Sequence, residues 1–289
     1  MTRRLAWSIL KDDLRLESVY KLTAKEISHF YKVPIERALR IHQDLHNKSL
    51  LEQIAMEHNK YYIFTYFDSI YPQLLRQIKD PPLVLYAIGS HALLGIQPAI
   101  SVIGTRKPST DGYKKTSSIV DPLARSGWSI VSGLAKGIDY FAHERTLLNQ
   151  GKTIAVLGSG FESLYPKEHQ RIAHSIVENG LLLSEYPPNQ TPRKHHFPER
   201  NRIISGLTFG TVVIEALERS GTMITVDQAL DQGREVYAMP GSAFIEQSKG
   251  CHELIRQGAK LVECGTEIEK DWTAFGKAQL IQYVKQITN

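Results

Sequence analysis

The stretch Ile100-Ser101-Val102-Ile103-Gly104-Thr105-Arg106-Lys107-Pro108 passes from a short apolar run straight into a glycine, a hydroxyl and two cations. A strand without polar alternation is what a sheet covered on both faces requires. A helix is expected next over Tyr113–Ser126, and the same order then repeats down the chain. Strands are expected at Ser129–Val131, Thr153–Leu157, Leu181–Ser184, Thr211–Ile214 and Glu235–Ala238. The helices between them are expected at Tyr140–Asn149, Lys167–Asn179, Glu199–Gly206 and Thr222–Gln232, with a last one at His252–Gln257. Strand and helix in strict alternation predict a doubly wound, mostly parallel α/β sheet.

Upstream, Ile63–Leu85 reads as a strand, a short helix after Pro72, and a second strand over Leu83–Ile88. Before that, Ile27, Phe30, Tyr31, Ile35, Leu39, Ile41 and Leu45 recur at helical spacing, and Thr23 with Glu26 fits a capping box. Residues 1–65 are therefore expected to form a small helical module of the SAM or helix-hairpin type, residues 66–265 the α/β domain, and 266–289 a tail without a winged-helix domain. The helical module fits a packing or spacer unit as well as one that touches a DNA backbone.

The chain has 289 residues, 42% hydrophobic and 22% charged, a globular balance that excludes fibrous and disordered classes. Two cysteines in this length argue for a reducing compartment, and the start of the chain lacks the apolar core of a signal peptide, so a cytoplasmic location is expected. The uncharged stretch from Pro81 to Thr105 is broken by three prolines and three glycines and reads as two short segments, not a membrane span. Charge is uneven: residues 101–210 hold 14 basic and 9 acidic side chains, residues 211–289 hold 8 and 11. A basic middle suits phosphates and an acidic end does not.

In doubly wound sheets ligands lie beyond the carboxyl ends of the strands, so the loops there carry the functional reading. Gly104, Thr105, Arg106 and Lys107 follow the first parallel strand, and an arginine can fork onto a phosphate. Ser132–Asp139 brings two glycines and Lys136 to a helix entrance, and Gly158-Ser159-Gly160 is followed by Tyr165-Pro166-Lys167. Phe197–Ile204 carries Arg200, Asn201 and Arg202, while Ser220, Gly221 and Thr222 offer hydroxyls and free amides at another helix start. Each alone fits a tight turn; five in succession point to one anion-binding groove.

Other chemistries find less support. Gly158-Ser159-Gly160 begins like a dinucleotide fingerprint, but Ser163 stands where its third glycine belongs. Gly151-Lys152-Thr153 imitates the end of a P-loop yet precedes a strand. Cys251, His252 and Cys264 lack the spacing of a zinc knuckle, so neither metal nor cofactor is expected. His195 and His196, beside Arg193 and Lys194, are read as shaping or touching a polyanion, and Glu215 and Glu218 as partners of Arg200 or Arg202.

Taken as an ordered set, these motifs resemble the DNA-processing protein A family, also called DprA or Smf. The resemblance spans Tyr66–Val262 and includes Asp68–Leu75, Pro81–Tyr86, Ser184-Glu185, Pro240-Gly241, Gly250–Ile255 and Gly258-Ala259 besides the loops above. It implies an extended Rossmann-like domain that binds single-stranded DNA, moves it past single-strand-binding protein and loads RecA, as in natural transformation. It carries Arg106 and Lys167 over as main DNA contacts, Arg200, Asn201, Arg202 and Ser220–Thr222 as the adjoining groove, and Leu230, His252, Ile255 and Leu261 as a homodimer or RecA face. Met223, Val226 and Asp227 depart from the family pattern. The resulting expectation is a binding protein without catalysis, with Phe197 or Tyr165 stacking bases. The alternatives are a nucleotide hydrolase using Glu215 or Glu218, and a protein adaptor whose DNA contact is incidental.

Overall fold

The computed structural model describes residues 3–276, so the expected tail is described only in part and its last thirteen residues lie outside the described residues. Contacts divide the chain into two compact units, one ending at Tyr61 and the other beginning at Tyr62.

The first unit holds α1 (Arg3–Asp12), α2 (Ala24–Tyr31), α3 (Ile35–Leu45) and α4 (Lys48–Lys60). Leu5, Ile9, Val19, Ile27, Ala38 and Ile41 form its core. The capping box is present: Thr23 Oγ1 accepts from Glu26 N at 3.3 Å, and the Glu26 carboxylate accepts from Thr23 N at 2.7 Å. The apolar periodicity stopped at Asn47 and so missed α4. No residue of α4 is buried, although Leu50, Leu51 and Ile54 stand at helical spacing; Asn47 Oδ1 caps it by accepting from Leu50 N at 3.3 Å.

The second unit starts with β1 (Tyr62–Thr65), α5 (Gln73–Arg76) and β2 (Val84–Gly89). β1 pairs with β2, which moves the boundary a few residues before the expected 65/66. Next come β3 (Ala99–Ile103), α6 (Gly112–Arg125), β4 (Ser129–Ser132), α7 (Ile138–Leu148) and β5 (Lys152–Leu157). They are followed by α8 (Gln170–Asn179), β6 (Leu181–Ser184), α9 (His196–Gly206), β7 (Gly210–Val213) and α10 (Gly221–Asp231). β8 (Glu235–Ala238), α11 (Glu246–Arg256), β9 (Lys260–Leu261) and α12 (Gly265–Asp271) complete it. The helix expected from Lys167 divides into a 3-10 turn, Lys167–His169, and α8. No helix among the described residues is long and apolar enough to cross a membrane.

The nine strands form one sheet in the order β1-β2-β6-β5-β4-β3-β7-β8-β9. β3 to β9 run parallel, and β2 joins β6 antiparallel. The doubly wound, mostly parallel fold is therefore the one expected. Ile100, Val102, Ile130, Val212 and Ile214 face α6, α7 and α12, whereas Ile103, Val131, Val156, Leu183 and Val213 lie in the other layer, with residues of α9, α10 and α11. Two buried strand hydroxyls are satisfied in place: Ser132 Oγ donates to Val102 O at 2.7 Å and Thr153 Oγ1 to Ile130 O at 3.0 Å. With both faces covered, the strand ends are where the sheet meets solvent. The chain leaves β3 toward β4 on one side and returns to β7 on the other, which opens a crevice at the carboxyl ends of β3 and β7.

Ile130 is fully buried in an interior strand. Ile130→Ala should cost about 2–5 kcal/mol, read as a lower urea midpoint at unchanged slope.

Candidate nucleic-acid interface

The crevice is a groove of about 790 Å³, lined from β3 by Gly104–Lys107, from α9 by Phe197, Arg200, Asn201 and Ile204, and from α10 by Ser220–Thr222. Its backbone is laced across three strand ends. Thr105 N donates to Glu215 O at 2.7 Å, and Ile138 N donates to Thr105 O at 3.2 Å. Gly137 permits that approach: it has φ +77°, and a Cβ there would lie 2.4 Å from Thr105 O. Glu215, fully buried, accepts from Ser109 N (2.8 Å), Ser109 Oγ (2.5 Å) and Lys115 Nζ (2.8 Å). It thus clamps the β3–α6 loop; its expected pairing with Arg200 or Arg202 is replaced by Lys115, which the loop brings closer.

Arg106 and Lys107 stand exposed on the clamped loop. The Arg106 guanidinium lies 5.8 Å from the Phe197 ring centre, and Phe197 lies 5.5 Å from Tyr165, so a cation and two rings follow one another along the rim. Ser220 enters α10 in an extended conformation, and its buried hydroxyl makes no hydrogen bond among the described residues. The first turn of α10 brings the positive end of a helix dipole to the same groove.

α9 separates the two expected arginines. Phe197, Arg200, Asn201 and Ile204 fall at i, i+3, i+4 and i+7 and line the groove, while Arg202 is about 200° around the helix from Arg200. Arg202 is 7% exposed, donates through Nη2 to both oxygens of Glu185 at 2.7 and 2.8 Å, and does not line the groove as Arg200 and Asn201 do. Arg200 is 3% exposed and acts from beneath: Nη1 donates to Val156 O at 2.5 Å. It passes over Gly133, where a Cβ would stand 1.9 Å from Nη1. Burial lowers the Arg200 guanidinium to about 10, an effect that Asp139 opposes. Burial likewise lifts the Asp139 carboxyl above its ordinary value, against the pull of Arg200 and the amides of Ala135 and Gly133.

The remaining expected cations are dispersed. Lys136 is exposed, pairs with Glu168, whose hydrogen bond and charge raise its pKa, and sits at a small recess with Arg106, Tyr165 and Arg200. Lys167 is exposed two residues beyond Tyr165, outside the groove lining. His196 is buried, 3.2 Å from Gly158 O and stacked on Tyr186, and so shapes the loop. Cys251 is buried in the core, where desolvation pushes its thiol up to about 12. Met223 packs against the core and Val226 lies within it, so neither departure from the family pattern lines the groove. Leu230 and Leu261 are exposed, on α10 and on edge strand β9; Ile255 is half-buried and His252 Nε2 lies 3.0 Å from Gly241 O. Lys194, Leu217, Ile224 and Gln247 also line the groove without having been assigned to it from the sequence. Only the basic run containing Lys194 had signalled anything there.

A family model described as DNA recombination-mediator protein A matches residues 62–273. The chain belongs to that family. It is 45% identical over 198 residues to the DNA processing protein DprA of Bacillus subtilis, covering 68% of this chain and 67% of that protein. With the DNA processing protein DprA of Streptococcus pneumoniae it shares 45% identity over 215 residues, 74% of this chain and 76% of that protein. The X-ray structure of the latter superposes with a TM-score of 0.84 at 37% identity, covering 93% of each chain. The DNA processing protein A of Helicobacter pylori, solved for its single-stranded DNA binding mode, superposes with a TM-score of 0.66 at 28% identity, covering 75% of this chain and 98% of that one.

Arg200→Ala would remove the hydrogen bond to Val156 O and the favourable charge acting on buried Asp139, and should lower stability near neutral pH. Because the folded-state value of Asp139 is raised above 3.8, its contribution to stability is present at low pH and lost as pH rises. Removing Arg200 raises that value further, so the deficit against the native protein should widen from acid to neutral pH in urea titrations. A deficit that does not change with pH would show that the pair is not ionised in the fold.

Proposed function

We propose that the chain is a recombination mediator that binds and protects single-stranded DNA and loads RecA onto it, without catalysis. The observation that carries this reading is the groove itself, where Arg106, Lys107 and Lys194 stand exposed beside the Phe197 and Tyr165 rings. Family membership and the single-stranded DNA binding mode of the Helicobacter pylori protein support it.

Phosphates would meet Arg106, Lys107, Lys194 and the first turn of α10, with Lys136 and Lys167 extending the positive rim. Such contacts make affinity fall with salt. Bases would lie on Phe197 and Tyr165, which requires them to be unpaired. Arg200 and Asn201 shape the floor, Arg200 holding the β4 and β5 loops in register. Leu230, His252, Ile255 and Leu261 would supply the homodimer or RecA face, and a dimer holding two grooves gains avidity on long strands. Single-strand-binding protein is the competitor this activity displaces, and the cytoplasm is where these partners meet.

The test is anisotropy of a labelled oligo-dT strand, against matched duplex, across salt. Arg106→Ala should weaken binding and reduce the slope of log affinity against log salt by roughly 0.7, the loss of one phosphate contact. Arg202→Ala, outside the groove, should lower stability and leave that slope alone. Equal affinity for duplex, or a slope indifferent to Arg106, would sink the proposal.

A further inference from the structure

Three large apolar side chains stand in solvent at the carboxyl ends of two neighbouring strands. Leu217, 42% exposed, follows β7; Ile224, 40% exposed, lies in the second turn of α10; Phe244, 97% exposed, lies between β8 and α11. Leu217 and Ile224 line the groove. The β8–α11 segment is seated against it: Gln247 lines the groove, its Nε2 donates to Lys107 O at 3.3 Å, and its carbonyl accepts from Ala216 N at 2.7 Å. Phe244 is three residues before that anchor. A local turn, in which Phe244 N donates to Ser242 Oγ at 3.3 Å and Ile245 N to Ser242 O at 3.1 Å, holds its backbone. From Met239 to Ile245 the segment bears no charge, and Phe244 follows Ser242 and Ala243, so small neighbours flank the ring.

We propose that Leu217, Ile224 and Phe244 form a track for unpaired bases, carrying a single strand out of the groove past Lys107 and onto the β8–α11 loop. The proposal rests on the single-stranded DNA reading above and extends its footprint. A protein partner calls for a contiguous apolar patch with packed anchors. Here exposed cations are interspersed with the apolar groups: Arg106 lies 5.8 Å from the Phe197 ring, and the Lys107 carbonyl accepts from Gln247, three residues after Phe244. That spacing suits a polymer of alternating phosphates and bases, and a fully exposed ring offers any base its face regardless of sequence.

The experiment compares the full chain with Phe244→Ala, Phe244→Trp and a control, Leu148→Ala, at an exposed leucine of α7 outside the groove. Each is titrated with oligo-dT of about 6 and about 20 nucleotides and with an abasic strand of the longer length, so that only the longer strands can reach beyond the groove. Phe244→Ala should lose roughly tenfold in affinity for the long strand and far less for the short or abasic ones, the scale of one stacked base. Phe244→Trp should bind the long strand at least as well as the native chain, with quenching of the added indole, and Leu148→Ala should match the native chain throughout. Unchanged long-strand affinity in Phe244→Ala, or an equal loss on the abasic strand, would overturn the track while leaving the groove intact. Loss of dimer by Phe244→Ala in sedimentation would overturn it by assigning the ring to a second copy of the chain. A native chain without single-strand preference would overturn the underlying function, and the track with it.

Discussion

A parallel sheet with helices on both faces has one place left for polar chemistry, and most of this molecule's design follows from that constraint. Strands such as β3 and β7 are buried along their whole length, so their side chains can do little except pack. The polar groups that could meet a ligand are displaced to the loops after each strand. The winding order then selects among those loops, because only at β3 and β7 do successive connections depart in opposite directions and leave an opening. Gly104–Lys107 and Ser220–Thr222 face each other across it for that reason, although more than a hundred residues separate them in the chain.

Holding five loops in one working surface takes buried charge. Glu215 gathers Ser109 and Lys115 beneath the β3 loop, Arg200 ties α9 to β5 through Val156 O, and Asp139 accepts from Gly133 N at the end of β4. Isolated, each of these ions would be costly in a dry interior; hydrogen-bonded as they are, they lock loop geometry that short turns alone would leave loose. Arg106 and Lys107, by contrast, stand exposed on the clamped loop, so buried and exposed cations share one rim.

Arginine identity alone did not distinguish those two roles. Arg106, Arg200 and Arg202 all sit in loops or helix entrances rich in polar residues, and from the sequence they belong to one basic set. The helical repeat separates Arg200 from Arg202, and Glu185 then claims the latter. α4, although Leu50, Leu51 and Ile54 stand at helical spacing, buries no residue in its unit. Gln247, Leu217 and Ile224 join the groove through contacts far along the chain, which no local pattern announces.

The amino-acid sequence by itself determined the fold class, the winding of strand and helix, the family, and the loops that would carry the site. These depend on local periodicity and on ordered motifs, both written in neighbouring residues. Tertiary structure alone decided which cations are exposed, which are buried as struts, and which apolar side chains border the groove. Those outcomes turn on desolvation and on the angle at which each residue leaves its helix or turn, and both are set by elements distant in sequence.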